Sequence, residues 1–190
     1  MNRFPTVGNE AQTPPGFKAA LDDVLFSQAA SGTAALTSLS FFTTVAEDDQ
    51  GNFDSPGRLS GGTVMKVTSI GVDVAAFATN GTTATTHAEL NLFGLGLLEL
   101  KVAGVKQFSR LAKFLPSGYH VSGISDIVRA AQASSLSTGG FRLPLAQPIF
   151  LGFKDQSFSV KIQWQTATWT PATSKYITVG LFGQRNRPFA

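Results

Sequence analysis

Ser157-Phe158-Ser159-Val160-Lys161-Ile162-Gln163-Trp164 puts Phe158, Val160, Ile162 and Trp164 at alternate positions, with Ser157, Ser159, Lys161 and Gln163 between them. A period of two marks a strand with one face in a core and the other in water. Before this stretch, Ile149-Phe150-Leu151-Gly152-Phe153 runs into a Lys154-Asp155 turn; after it, a Thr/Pro loop leads to Lys175-Tyr176-Ile177-Thr178-Val179-Gly180-Leu181-Phe182-Gly183 and then Arg185-Asn186-Arg187. The last third of the chain, 141–190, therefore reads as three strands in close succession without a residue that looks like a catalyst. The class is all-β.

Working outward, Leu36 to Val45 is a strand rich in Thr and Phe, and 47–62 is a polar loop with Pro56 and four glycines. Thr63 to Phe77 is a long strand in which Gly71 predicts a bulge or a close backbone approach. Asn80-Gly81 predicts a tight hairpin, because both central residues of that turn need positive φ. His87 to Val102 reads as one or two buried strands kinked at Gly94 and Gly96. Two segments have helical spacing: Leu21, Val24, Leu25 and Gln28, with Asp22 and Asp23 in the first turn where the helix dipole favours them, and Ser122 to Ser135, with Ile124, Ile127, Val128 and Ala131 on one side. The expectation is a single jelly-roll sandwich of about eight antiparallel strands with one or two short inserted helices, an immunoglobulin-like Greek key being the other arrangement compatible with the strand count. Residues 1–17, with Pro5, Pro14 and Pro15 and little periodicity, read as an extended N-terminal arm, and 18–190 as the jelly-roll domain.

The 190 residues suffice for one domain with a substantial core. No cysteine is present, so disulfides, thiolate metal sites and thiol nucleophiles are excluded. The N-terminal stretch lacks the apolar segment of a cleaved leader, and no apolar run approaches the length of a spanning helix; the reading expects a soluble, uncleaved chain. Net charge is +3 but unevenly spread: 1–60 hold three Lys/Arg against seven Asp/Glu, and 61–190 hold twelve against five. Such asymmetry can orient a chain on a partner or match it head to tail with a neighbouring copy. Only 14% of residues are charged while Phe fills 16 positions, a balance that suits a surface buried against other subunits. Lys and Arg do not cluster with interleaved aromatics, so sequence-specific nucleic-acid binding is not expected.

The search for chemistry returns little. His87 and Glu89 have the spacing of two ligands on one strand face, as a cupin-like metalloenzyme needs, but further ligands are lacking nearby. His120, Asp126 and a serine have the composition of a triad without the G-x-S-x-G elbow. Gly94-Leu95-Gly96 has Glu99 where a dinucleotide fingerprint needs its third glycine. Neither a catalytic residue, a metal site nor a cofactor is expected, and the chain is not read as an enzyme. Val105, Phe108, Ala112 and Leu115 against Lys106, Arg110 and Lys113 would make a short basic amphipathic helix, either packed on the core with a basic outer face or suited to an anionic membrane surface, or equally a strand ended by Leu115-Pro116. Trp164 reads as core; Trp169, with Tyr176 or Tyr119, is the freer aromatic, able to stack on a sugar ring or to dock into a neighbour.

Several of these features in order resemble a family: the Phe41-Phe42 strand leading to a Gly-rich loop with Arg58-Leu59, the long strand from Val64 to Val74, the Phe114-Leu115-Pro116-Ser117-Gly118 turn, and the final pair of strands closed by Arg185 to Pro188. The pattern resembles the single jelly-roll major capsid proteins of tailless icosahedral bacteriophages with an internal membrane, of the sphaerolipovirus-like small-coat type. The resemblance implies a structural coat protein that self-assembles in many copies into an icosahedral viral shell over an internal membrane, with a second coat protein as a further partner. It implies assembly in the host cytoplasm and residence in the virion. Residues 1–17 carry only Arg3 as a basic group, unlike the polybasic arms that neutralise packaged genome. The expected intersubunit contacts are Phe4, Pro14, Pro15, Phe53, Arg58, Trp169, Arg185, Arg187 and Phe189; the expected membrane-facing residues are Lys106, Arg110 and Lys113. A carbohydrate-binding jelly-roll module is the alternative, and a cupin-like metalloenzyme the third.

Overall fold

A computed structural model describes residues 21–43, 51–53, 55–59, 63–74, 92–112, 115, 119–122, 136–139, 143–152, 156–165, 168–172 and 174–186. Among the described residues the strands are β1 (Leu21–Ala30), β2 (Ser38–Phe41), β3 (Val64–Val74), β4 (Leu97–Val102), β5 (Val105–Leu111), β6 (Tyr119–Ser122), β7 (Leu136–Gly139), β8 (Leu143–Leu151), β9 (Phe158–Gln163) and β10 (Tyr176–Asn186). Eight of them form two four-stranded sheets, β1-β10-β3-β8 and β2-β9-β4-β5; β6 and β7 pair with each other as an inserted ribbon.

The topology follows from one turn. At Ala103-Gly104 both residues have positive φ, 49° and 78°, the two-residue geometry whose twist matches antiparallel strands, and it joins β4 to β5. From that hairpin outward the pairs nest: β3 with β8, β2 with β9, β1 with β10, all antiparallel. A long ribbon paired in this way and rolled up deals its strands alternately into two sheets. That is the jelly-roll layout, and it decides against the immunoglobulin-like alternative.

The inward rows carry the core. Leu98, Leu100 and Val102 of β4 lie opposite Ile162, Val160 and Phe158 of β9, and in the other sheet Leu25 of β1 aligns with Leu181 of β10 and Ile70 of β3. All nine are buried, and a fully buried side chain of this kind stabilises by about 1.5–3 kcal/mol. The two sheets are tied at one point by a polar bond: the buried Phe42 N–H donates to Ser27 Oγ across 3.0 Å.

Several expectations change. The helix at Leu21 to Gln28 is strand β1, in register with β10 over ten residues; Leu25 and Ser27 turn inward and are buried, while Gln28 bonds Thr178 across the outer face at 3.2 Å. Ten ladder positions outweigh the weak helical preference of a short segment. The bulge expected at Gly71 falls instead at Thr68 and Gly183, where the β3–β10 register shifts, and Gly71 lies opposite Gly180. Between His87 and Val102 the described part is one helical turn at Leu92–Gly94 followed by β4. The basic segment after Val105 is strand β5. The arm at 1–17, the Asn80-Gly81 hairpin and all but Ser122 of the expected Ser122 to Ser135 helix lie outside the described residues.

Candidate functional site

Two aromatic clusters stand at the two ends of β9. At its start, Phe42 packs on Phe53 and Phe158 with ring centroids 5.2 and 5.3 Å apart. Past its end, Trp164 stacks on Trp169 at 5.4 Å and 26°, and Phe93 meets both rings. Trp169 is held by a reciprocal backbone pair with Leu36, 2.9 and 3.0 Å, and its side chain is 0% exposed. The expectation that Trp169 is the free aromatic is corrected: the Thr/Pro loop folds its ring inward to complete the core, where it offers a neighbour or a sugar nothing to touch. Phe53 is likewise buried, against Phe42. The Arg185 side chain is only 11% exposed and forms an ion pair with Asp23 at 2.8 Å, on the inward row at one end of the first sheet. Of the expected contact residues, Arg58 is exposed, in the turn closed by its N–H to the Ser55 carbonyl. Phe4, Pro14, Pro15, Arg187 and Phe189 lie outside the described residues, as do His87, Glu89, Asp126 and Lys113; of Tyr119 and His120 only the backbone is described.

The basic stripe is split by a bulge. Gln107 is the extra residue where the β4–β5 register shifts, so Lys106 faces Lys101 while Phe108 and Arg110 face Leu100 and Leu98 of the inward row. Lys106 and Arg110 therefore stand on different rows and do not share one basic face. Lys106 instead joins a cluster on the outer face of the second sheet. Glu99 lies beside Lys161 in register, forms an ion pair with Lys106, and has Lys101 Nζ at 3.6 Å. The hydrogen bond from the Lys106 ammonium, opposed by burial and reinforced by both lysine charges, holds the Glu99 carboxyl below the usual carboxylate range. Sequence alternation contained this signal: Glu99 and Lys101 interleave with Leu98, Leu100 and Val102, as Lys161 does with Val160 and Ile162.

The outer face of the first sheet is different. Val24 aligns with Phe182 and Ser69, and Phe26 with Gly180 and Gly71; the Phe182 ring lies over Gly180, where a Cβ would approach it to 2.8 Å. Beside it the Thr68 bulge borders a shallow cleft of about 530 Å³ lined by Asp22, Asp23, Thr68, Ser69 and Phe182. Of its two carboxylates, Asp23 is engaged by Arg185.

The β1, β8 and β5 edges are guarded. The β1 edge is covered by the bridge from Gly51 to Ser27 and by Asn52, which bonds Val24 and Phe26. The β8 edge carries Pro144 and Pro148, with 145–148 off the ladder opposite Thr68, and the β5 edge carries Lys106, Arg110 and the Gln107 bulge. Prolines, lysines and bulges of this kind discourage strand addition. Among the described residues the exposed large apolar side chains are Leu92 and Leu95, which share one helical turn, with Val105, Phe150 and Tyr176 elsewhere, Val105 at 61% the most exposed. Among the described residues no three His, Asp or Glu side chains group as metal ligands would.

Against protein-family models, curated proteins and solved structures the chain has no match.

Proposed function

We propose that this chain is a structural coat protein whose copies assemble into an icosahedral viral shell. The nested strand order carries the reading, because the eight-stranded jelly roll is an architecture of viral coats, lectins and cupins, and the described residues favour the first of those uses. A cupin puts its ligands on the inward rows, and here the described inward rows are mainly aliphatic and aromatic. A lectin needs an exposed aromatic platform, and Trp169 is committed to the core. A coat needs neither. It needs a rigid block with guarded edges and surfaces that neighbours can recognise, which the proline- and lysine-protected edges and sparse charge support.

In this reading the chain performs no turnover and takes no cofactor. Its partners are further copies of itself, a second coat protein and the lipid surface beneath the shell, and its place is the virion after assembly in the host cytoplasm. Light scattering and negative-stain electron microscopy of the purified protein over a concentration series test it. Ordered oligomers or shells are expected; monomers alone at every concentration overturn the reading. Saturable binding on a glycan array, with Tyr176 as an exposed aromatic among the described residues, would replace it with the carbohydrate-binding alternative.

A further inference from the structure

The cleft beside the Thr68 bulge is rich in acceptors. Asp22 is exposed and forms no ion pair among the described residues, whereas Asp23 is held by Arg185 and Glu99 by Lys106. The Thr68 hydroxyl donates to the Phe182 carbonyl across 3.3 Å, so it is left with lone pairs to offer. Ser69 and the half-buried Phe182 complete the lining. A free carboxylate, hydroxyl oxygens and an aromatic ring together suit a cation with several donors. A guanidinium can take the carboxylate in a fork and stack on the ring.

A matching group lies on the same chain. Arg58 is exposed and forms no ion pair among the described residues. It stands in a turn whose backbone is fastened to the body: Arg58 N–H donates to the Ser55 carbonyl at 3.2 Å, Gly57 N–H to the Phe42 carbonyl at 2.8 Å, and Phe158 N–H to the Gly57 carbonyl at 2.7 Å. Leu59 after it is buried, and Pro56 beside it is exposed. A side chain carried on an ordered turn has little backbone freedom left to lose on docking. Arg110, the other exposed guanidinium among the described residues, leaves instead from the middle of a ladder, opposite Leu98.

We infer that Arg58 of one copy of this chain docks into the Asp22/Thr68/Phe182 cleft of a second copy, its guanidinium on the Asp22 carboxylate and Pro56 against Val24 and Phe182. The contact is head to tail: one copy uses its turn and the other its cleft, leaving each with a complementary surface free. Repetition of such a heterologous contact builds a ring or an extended array. Side chains are the appropriate link, because the edges of β1, β5 and β8 are protected against backbone pairing. Opposite charges also set register and speed encounter. The inference rests on the self-assembly reading and adds the groups through which copies meet.

Exchanging the two charges tests it. The variants are Arg58→Glu and Asp22→Arg, both at exposed positions. Association, followed by sedimentation velocity at about 0.05 M salt where surface charges are little screened, should fall by about tenfold or more in each variant alone. An equimolar mixture should recover it, because both contacts between unlike copies then join opposite charges. Arg58→Lys keeps the charge but not the fork or the planar stacking, and should weaken association by about threefold or more. Circular dichroism checks that the variants fold, and the neutral Arg58→Gln and Asp22→Asn forms, which should each associate less tightly than the wild type, serve if a reversed one does not.

A mixture no better than its components overturns the inference. So does a shift in melting temperature without a change in association, which would mean that Arg58 meets the cleft of its own chain. Loss of association in Asp22→Arg but not in Arg58→Glu would give the cleft to a different cation and overturn the pairing with Arg58. Variants that assemble as the wild type does overturn this contact and leave the coat reading standing; a wild type that is monomeric at every concentration overturns both.

Discussion

The Trp164 and Trp169 rings stack at 5.4 Å and 26° inside the molecule, although they flank a loop. The reciprocal Leu36–Trp169 backbone pair and the Trp164 N–H to the Thr37 carbonyl, 2.9 Å, draw that loop against the strand leading into β2. Gly96 is part of the same arrangement, because a Cβ there would stand 2.6 Å from Ile162 and 2.8 Å from Trp164 Nε1.

Removing the inner ring should therefore act on stability. Trp169→Ala is expected to lower the unfolding free energy by about 3–5 kcal/mol, the usual cost of deleting a large buried aromatic, as read from urea denaturation. A loss within about 1 kcal/mol would mean that the ring is not in the core.

Ser27→Ala probes the tie between the sheets. Phe42 has φ 59°, a left-handed conformation uncommon for a bulky residue. Its N–H donates to Ser27 Oγ and its carbonyl accepts from Gly57 N–H at 2.8 Å. Without the hydroxyl a buried donor is left unpaired, at about 1–3 kcal/mol. Hydrogen exchange at the Phe42 amide should accelerate by more than the global destabilisation accounts for.

How much of this was legible in the sequence depended on which physical signal each residue carries. Alternation at Ser157 to Trp164 and the long Val64 run located β9 and β3, because burial on one sheet face is written in period two. Leu21 to Gln28 misled: spacing in a short segment is ambiguous, and pairing with β10, more than 140 residues away in the chain (Leu21↔Arg185), decided it. Trp169 misled for a related reason, since a loop residue is buried or exposed according to how the loop packs. The Glu99 cluster was written in the alternation of two strands, but its assembly required knowing that β9 and β4 are neighbours and that Gln107 is a bulge.

The Glu99 cluster should make stability depend on pH in the acid range. The folded carboxyl titrates below its ordinary value of 4.5, so the folded state favours the charged form. Its contribution is complete above the unfolded pKa and is lost as pH falls through the folded one. The stability difference between wild type and Glu99→Gln should shrink on acidification below about pH 4.5 and stay constant above about pH 6. A difference that grows toward low pH would reverse the assigned sign.

Gly183→Ala should be among the costliest single-methyl additions in the chain. At that position β10 passes the Thr68 bulge of β3 so closely that a Cβ would lie 1.8 Å from the Lys66 carbonyl oxygen and 2.8 Å from its carbon. The obstacle is backbone on a neighbouring strand, so relief requires moving the ladder, and a cost of about 1–3 kcal/mol or more is expected. Gly104→Ala, with open space around it but φ 78°, meets only the backbone penalty of about 1–2 kcal/mol. Thermal melts of the two variants compare a steric cost with a conformational one, and a Gly183→Ala protein at least as stable as Gly104→Ala would show that the bulge can open to admit a side chain.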